Sequence, residues 1–298
     1  MSDFDLPLWL ERSRAAVETA LTQALPEATT EPRTIHEAMR HSVFAGGKRL
    51  RPLLTLAAAE ACGGRAEDAL PAACAMECLH TYSLIHDDLP AMDDDDFRRG
   101  HPTCHKVFGE AIGILAGDAL QALAFELIGR SPVGGGYTHA DLLRTFAVTA
   151  GSRKLIGGQV LDLQAEGRGS EATLEELRAI HLGKTAAMIS CSMELGAMTA
   201  GVAREDLAAM ARFGTTVGLA FQVIDDILDV TQSTEELGKT AGKDSAANKA
   251  TYPAVLGLEN SQNEAERLTR EATEALAHFD GRAAALRALA HHLLRRRS

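Results

Sequence analysis

Aromatic residues are scarce in this 298-residue chain, at 4% of the composition. Val and Ile do not cluster, and no run alternates at period two for the length of a strand. Ala and Leu dominate instead, so the composition speaks for helices over sheet. Cysteine is thin as well. Cys62, Cys74, Cys78, Cys104 and Cys191 form an odd set with no Cys-x-x-Cys pair, which argues against a disulfide framework or a zinc cluster and leaves reduced, buried thiols. There is no basic excess: 41 acidic residues face 30 Lys and Arg, for a net charge of -11. That balance speaks against a nucleic-acid partner, whose phosphates need a basic footprint, but it leaves room for a small anion in a local basic pocket. No stretch reaches the ~18 uninterrupted apolar residues of a spanning helix. Met1 to Arg14 lacks the basic start and apolar run of a signal peptide. The expectation is a protein without stable membrane insertion and with a cytoplasmic address.

What the chain does have is helical periodicity almost throughout. It predicts helices over 5–25, 33–45, 50–62, 66–88, 105–130, 138–166, 173–200, 203–230, 248–276 and 280–296. Gly46-Gly47 and Gly63-Gly64 end helices, and the runs 131–136 and 167–170 are loops. Thr173 with Glu176 is a capping box. No linker divides the chain. A length near 300 residues buries roughly three quarters of its unfolded surface. The reading is one all-α domain over residues 1–298, a large helical bundle.

One acidic pattern occurs twice. Asp87-Asp88-Leu89-Pro90-Ala91-Met92-Asp93 and its continuation to Asp96 form the first cluster, and Asp225-Asp226-Ile227-Leu228-Asp229 the second. Each follows an apolar helical stretch. A solvated surface face explains residues 93–96 adequately but not Asp225 and Asp229, which share one helix face at i and i+4. Two carboxylates ~4 Å apart repel by roughly 4 kcal/mol at an effective dielectric of ~20, so a cation must offset them. Hard oxygen ligands without His or Cys point to Mg²⁺, with Mn²⁺ as a substitute. On a regular helix Asp93 would lie about 240° around from Asp87. Pro90 cannot donate to the carbonyl of His86, and the break it makes is one way to swing Asp93 back.

Cations complete a diphosphate site. Lys48, Arg49 and Arg51 surround the turn after Gly46-Gly47, Arg98 and Arg99 follow the first cluster, and Lys239 and Lys249 follow the second. Lys184, beside Thr185, stands within an otherwise apolar helix; any of the others taken singly is also what a surface cation looks like. The Gly46-Gly47-Lys48 segment lacks the spacing of a Walker loop. His80, seven residues before Asp87, shares nearly the same helix stripe.

At these residues the chain resembles the trans-prenyl diphosphate synthases, specifically the bacterial farnesyl type. The likeness runs from Gly46 to Leu258 and rests on Leu84 to His105 and Phe221 to Lys239. It implies an isoprenoid synthase fold, with helices around a deep central cavity, and a homodimer. It implies that Asp87, Asp88, Asp93, Asp225, Asp226 and Asp229 bind several Mg²⁺ ions, Asp229 through water. Lys48, Arg51, His80 and Arg99 would hold isopentenyl diphosphate. Arg98, Lys184, Thr185, Gln222, Lys239 and Lys249 would hold the allylic diphosphate. Gly158, Gln159 and Asp162 fit the family's helix there without an assigned role.

The implied reaction is a head-to-tail condensation of isopentenyl diphosphate with dimethylallyl or geranyl diphosphate to give farnesyl diphosphate. Asp87, Asp88, Asp93, Lys184, Thr185, Gln222 and Asp225 would carry the chemistry, and no Ser-His-Asp or Cys-His arrangement competes. Burying five more carbons favours binding by roughly 4 kcal/mol at ~0.8 kcal/mol each, so only a steric floor stops growth. The family comparison makes Tyr82 that floor, with Ser83 the small residue above it. The alternatives are a geranylgeranyl or geranyl diphosphate synthase and a non-catalytic subunit of such an enzyme. A terpene cyclase fits the intact second motif poorly. A di-iron protein would use Glu77-x-x-His80 but needs a second such pair, and none is present.

Overall fold

The computed structural model describes residues 4–231 and 250–294. Helices follow one another along the chain: α1 (Leu6–Ala24), α2 (Arg33–Val43), α3 (Leu50–Ala61) and α4 (Ala66–Asp87). A two-residue hairpin follows, β1 (Phe97–Arg98) with β2 (His101–Pro102). Then come α5 (Cys104–Phe108), α6 (Glu110–Arg130), α7 (His139–Ala150), α8 (Leu155–Ala165) and α9 (Leu174–His181). A wide π turn, Leu182–Ala186, joins α9 to α10 (Ala187–Ala200), and α11 (Arg204–Thr231) is the longest element described. The described chain resumes with α12 (Tyr252–Leu256), α13 (Leu258–Ala275) and α14 (Ala284–Leu294). The fold is all-α, as expected.

The core follows from the Ala-rich sequence. Small side chains let helix axes approach closely, and α4 lies centrally, packed on α3, α6 and α10. One apolar cluster joins Met76 and Leu79 of α4 to Leu120 and Ile128 of α6 and Phe146 of α7. A second joins Leu54, Met193, Phe213 and Leu286, and a third gathers Val223, Tyr252 and Leu268. All five cysteines are free, and four of them are buried, as the sequence predicts. The α6 and α11 helices are long and apolar enough to cross a membrane by length and composition. In this fold they are bundle helices, packed chiefly on α4 and on α13 and α10.

Several predicted helices are shorter than their periodicity. Gly109 and Gly257, with φ of 83° and 79°, split 105–130 and 248–276. Residues 151–154 separate α7 from α8 within the predicted 138–166. The Thr173 capping box forms as read: its hydroxyl accepts the Glu176 N–H at 3.2 Å and Glu176 Oε2 accepts the Thr173 N–H at 2.8 Å.

Candidate active site

The first aspartate cluster closes on itself where α4 ends. Beyond Pro90 the backbone N–H of Asp93 donates to the carbonyl of Asp87 at 2.8 Å. The break therefore does return Asp93 to the side of Asp87. Asp87 and Asp88 are buried, and Asp93 is exposed. Burial pushes the Asp87 carboxyl up to about 6; Lys184 opposes this and Asp93 reinforces it. Asp88 is also raised by burial, against the pull of Arg98, whose Nε donates to it at 2.8 Å. Behind them, Asp94, Asp96 and His105 bring their ligand atoms within 4.8 Å of one another.

The second cluster lies in the last turns of α11. Asp226 and Asp229 are buried, and Asp225 is half-buried. Oδ2 of Asp229 is buried and has no hydrogen-bond partner among the described residues. Oδ2 of Asp226 accepts the Tyr252 N–H at 2.9 Å, so this residue also anchors α12. An orphaned buried carboxylate oxygen, and a second carboxyl raised by its surroundings, suit a hard divalent cation. The donor set is oxygen throughout, which fits Mg²⁺.

The wide turn presents Lys184 and Thr185. Wide turns of this type occur mostly as single insertions inside helices, frequently at functional sites. Lys184 Nζ lies 3.0 Å from Asp162 of α8 and 3.7 Å from Asp87. Its contact with α8 is backbone on backbone: a Cβ on Gly158 would stand 2.6 Å from the Lys184 nitrogen. Lys184, Thr185, Gln222, Asp162 and Asp226 line one cavity of about 260 Å³. Below Asp87 opens a second, mostly apolar cavity of about 490 Å³. Tyr82, Ser83, Leu89, Met92 and Leu155 are among its walls. Tyr82 is 6% exposed and meets the His86 ring edge-on, with centroids 5.6 Å apart.

The cations divide into two kinds. Arg49, read as one of three around the glycine turn, points inward instead and pairs with buried Glu77 at 2.8 Å and with Glu18 at 2.6 Å. That pairing also removes Glu77 from any iron site. Arg51, His80, Arg98 and Arg99 lie close enough to shift one another's titration. Arg51 is lowered to about 10 by burial, with Arg99 adding to the shift and Glu77 opposing it. His80 is held well below its usual value by burial and then by Arg51, Arg99, Arg98 and Arg49, so it is neutral. Arg99 reaches this group through the hairpin, whose turn residues Arg99 and Gly100 have φ of 55° and 80°. Two such residues make the tight turn whose twist suits a hairpin. The Arg99 guanidinium donates to the Gly46 carbonyl and occupies the space a Cβ on Gly47 would need. Lys48 is exposed in the same loop.

Lys239 and Lys249 lie outside the described residues, as do Arg295 to Arg297. The sequence reading left Asp162 without a role, although Asp162 faces Lys184. The signal available was its spacing from Gly158, which puts both on the face of α8 that meets the wide turn. It also missed His181, stacked on Tyr252 with centroids 5.6 Å apart.

The sequence pattern of the polyprenyl synthetases matches residues 32–287. The chain belongs to the polyprenyl synthetase family. This family member is 49% identical over 296 residues to the chloroplastic geranylgeranyl pyrophosphate synthase of Catharanthus roseus, covering 98% of this chain and 82% of that one. It is 47% identical over 302 residues to the large subunit 1 of the chloroplastic heterodimeric geranylgeranyl pyrophosphate synthase of Arabidopsis thaliana, covering 100% and 81%. The solved structure of an FPP/GFPP synthase from Zymomonas mobilis superposes with a TM-score of 0.85 at 34% identity, covering 97% and 98%. The chain is thus a prenyl diphosphate synthase by family. The expected cytoplasmic address is overturned, because the plant relatives are named as chloroplast proteins. The expectation rested on Met1 to Arg14 lacking a secretory signal and on the lack of a spanning run, and neither feature reports on an organelle address, which a different kind of targeting segment specifies.

Proposed function

We propose that residues 1–298 act as one domain that condenses isopentenyl diphosphate with an allylic diphosphate, head to tail, at the site between the two aspartate clusters. The observation that carries this reading is Lys184, held between Asp162 and Asp87 on the wall of a cavity shared with Gln222 and Asp226. Asp87, Asp88 and Asp93 from one side, and Asp225, Asp226 and Asp229 from the other, would hold Mg²⁺. When bound, Mg²⁺ supplies positive charge to the departing diphosphate.

This chain's own residues do the rest. Lys184 and Arg98 stabilise the charge that grows on the leaving diphosphate, and the Thr185 hydroxyl and Gln222 carbonyl turn their dipoles toward the allylic cation. Lys48, Arg51, His80 and Arg99 orient isopentenyl diphosphate so that its double bond attacks that cation. The new carbon–carbon bond forms, a proton leaves the isopentenyl unit, and diphosphate is released. Neutral His80 donates a hydrogen bond without adding charge. Leu89, Met92 and Leu155 keep water from the cation. Lys239 and Lys249 remain assigned to the allylic diphosphate by resemblance alone.

The named plant relatives favour geranylgeranyl diphosphate, with twenty carbons, as the product. One observation favours farnesyl diphosphate as the second reading: Tyr82 forms a wall of the apolar cavity below Asp87. The apolar residues Ile114 and Leu115 of α6, Leu143 of α7 and Ile156 of α8 are exposed, and a homodimer would cover them. One relative is the large subunit of a heterodimer, so mass measured in solution with the chain alone tests this. The deciding assay uses purified protein, Mg²⁺, dimethylallyl diphosphate and radiolabelled isopentenyl diphosphate, with chain length read by chromatography. No product, even from geranyl diphosphate, would sink the catalytic reading.

A further inference from the structure

A separate cavity of about 410 Å³ opens between α7, the start of α8, α10 and the first turn of α11. None of its wall residues lines the cavities at the aspartate clusters. Four cations converge on it: Arg144, Arg153, Lys154 and Arg204. Two carboxylates are also present: Asp141 feels Arg204 and Arg144, and Glu194 feels Lys154, but each directs its hydrogen bonds to hydroxyl or backbone groups rather than to these cations. Asp141 accepts the N–H and hydroxyl of Thr138, both at 2.8 Å, to cap α7. Glu194 accepts the Ser190 hydroxyl at 3.0 Å. Among the described residues, Arg144, Arg153 and Lys154 form no ion pair or side-chain hydrogen bond, while Arg204 covers the Tyr137 ring at 4.4 Å. With four cations against two carboxylates, the lining carries an excess of positive charge, and a concavity focuses such a field inward. In a chain of net charge -11 such a cluster is not the outcome of general basicity.

We propose that this cavity is a second anion site, and that its ligand is a diphosphate group. Arginine forks match phosphate oxygens in pairs, and three of the four cations are arginines. The volume exceeds what inorganic phosphate needs, since one water takes ~30 Å³ of liquid. The site also touches the machinery at Lys184. The carbonyl of Lys154 accepts the Gly158 N–H at 2.6 Å, and Gly158 backs directly onto the Gly183–Lys184 backbone. An anion that draws in the Lys154 side chain acts on the residue at the N-cap of α8 and hence on the seat of Lys184. Binding stands without the proposed activity; this coupling rests on it. The same chemistry is carried by free diphosphate and by the headgroup of a prenyl diphosphate.

Calorimetry on the full chain in chelator, titrated with inorganic diphosphate, tests the binding. Two classes of site are expected in the native protein. Combined Arg144→Ala and Arg153→Ala should weaken one class at least tenfold and leave the other. Both residues are exposed, so folding is not at stake, and Arg204→Ala provides an independent variant. An isotherm unchanged in all of these overturns the proposal. Farnesyl diphosphate binding at least tenfold tighter than inorganic diphosphate at this class marks the headgroup as the ligand; equal binding marks the free ion. In the condensation assay the native enzyme should show a non-competitive component of diphosphate inhibition that the double variant lacks. Absence of all condensation would remove the proposed function while the calorimetry still decides the site.

Discussion

The N–H of Asp93 meets the carbonyl of Asp87 at 2.8 Å, although six positions separate them in the chain. Pro90, which has no N–H to give, stands between them and ends the helix. A residue that a continuous helix would turn away is thus returned to the side of Asp87, which lines the apolar cavity. Asp93→Ala should lower kcat by about 10²–10³-fold, the typical cost of removing one electrostatic element at a reacting centre. It should also raise the Mg²⁺ concentration at half-maximal rate. Kinetics across a Mg²⁺ titration checks both, and an unchanged midpoint would take Asp93 out of the metal set.

Lys184 and Asp162 make a graded pair. Lys184→Met should cost about 10²–10³-fold in kcat, because the charge facing the leaving group is lost. Asp162→Asn keeps a hydrogen-bond acceptor 3.0 Å from Nζ and should cost less. Equal losses in the two variants would mean that Asp162 does more than position the lysine.

Gly158→Ala should destabilise the fold by about 1–3 kcal/mol in urea unfolding, the usual range for overpacking. The new methyl group would stand 2.6 Å from the Lys184 nitrogen and 2.8 Å from the Gly183 carbonyl carbon, and backbone cannot rotate aside as a side chain can. Activity should fall by more than the lost stability explains.

How much of this was legible from residues alone depended on range. The capping box and the central helices rest on local spacing and stand where the spacing put them, and the break expected at Pro90 brings Asp93 back to Asp87. The helix breaks at Gly109 and Gly257 were passed over because one glycine is tolerated inside a periodic run. The hairpin escaped because two-residue strands have no period. Arg49 was misread because its partners, Glu18 and Glu77, lie 31 and 28 positions away. Asp162 needed a contact across 22 positions before it meant anything.

Tyr82→Ala should lengthen the product by at least one five-carbon unit, whichever product the native enzyme makes. The ring forms part of the cavity wall, and each added unit is drawn in by about 4 kcal/mol of apolar burial once space exists. Chromatography of the products checks this. An unchanged length would move the floor to another wall residue.

Acid should destabilise the fold in part through His181. Burial lowers its pKa from 6.5 to about 4, and nearby Asp162 opposes the shift. Between these values the unfolded chain binds the proton and the folded chain does not. This contribution is therefore whole above pH 6.5 and is lost as pH falls toward about 4. His181→Phe should flatten that part of the urea-stability profile; a slope equal to the native one would discount His181.

The wide turn at Leu182–Ala186 also sets the rotational phase between the two helices it joins. A turn of this kind is one residue more than an ordinary helix holds. Removing one residue there would leave a straight helix from Leu174 to Ala200 and rotate everything before the cut by about 100° against everything after it. The packing helix would survive that deletion, but its two polar residues would lose their aim. One extra residue in an otherwise regular helix is thus enough to turn a rod into a holder for a charged group, and the same residue sets which face α9 turns toward α8 and α11.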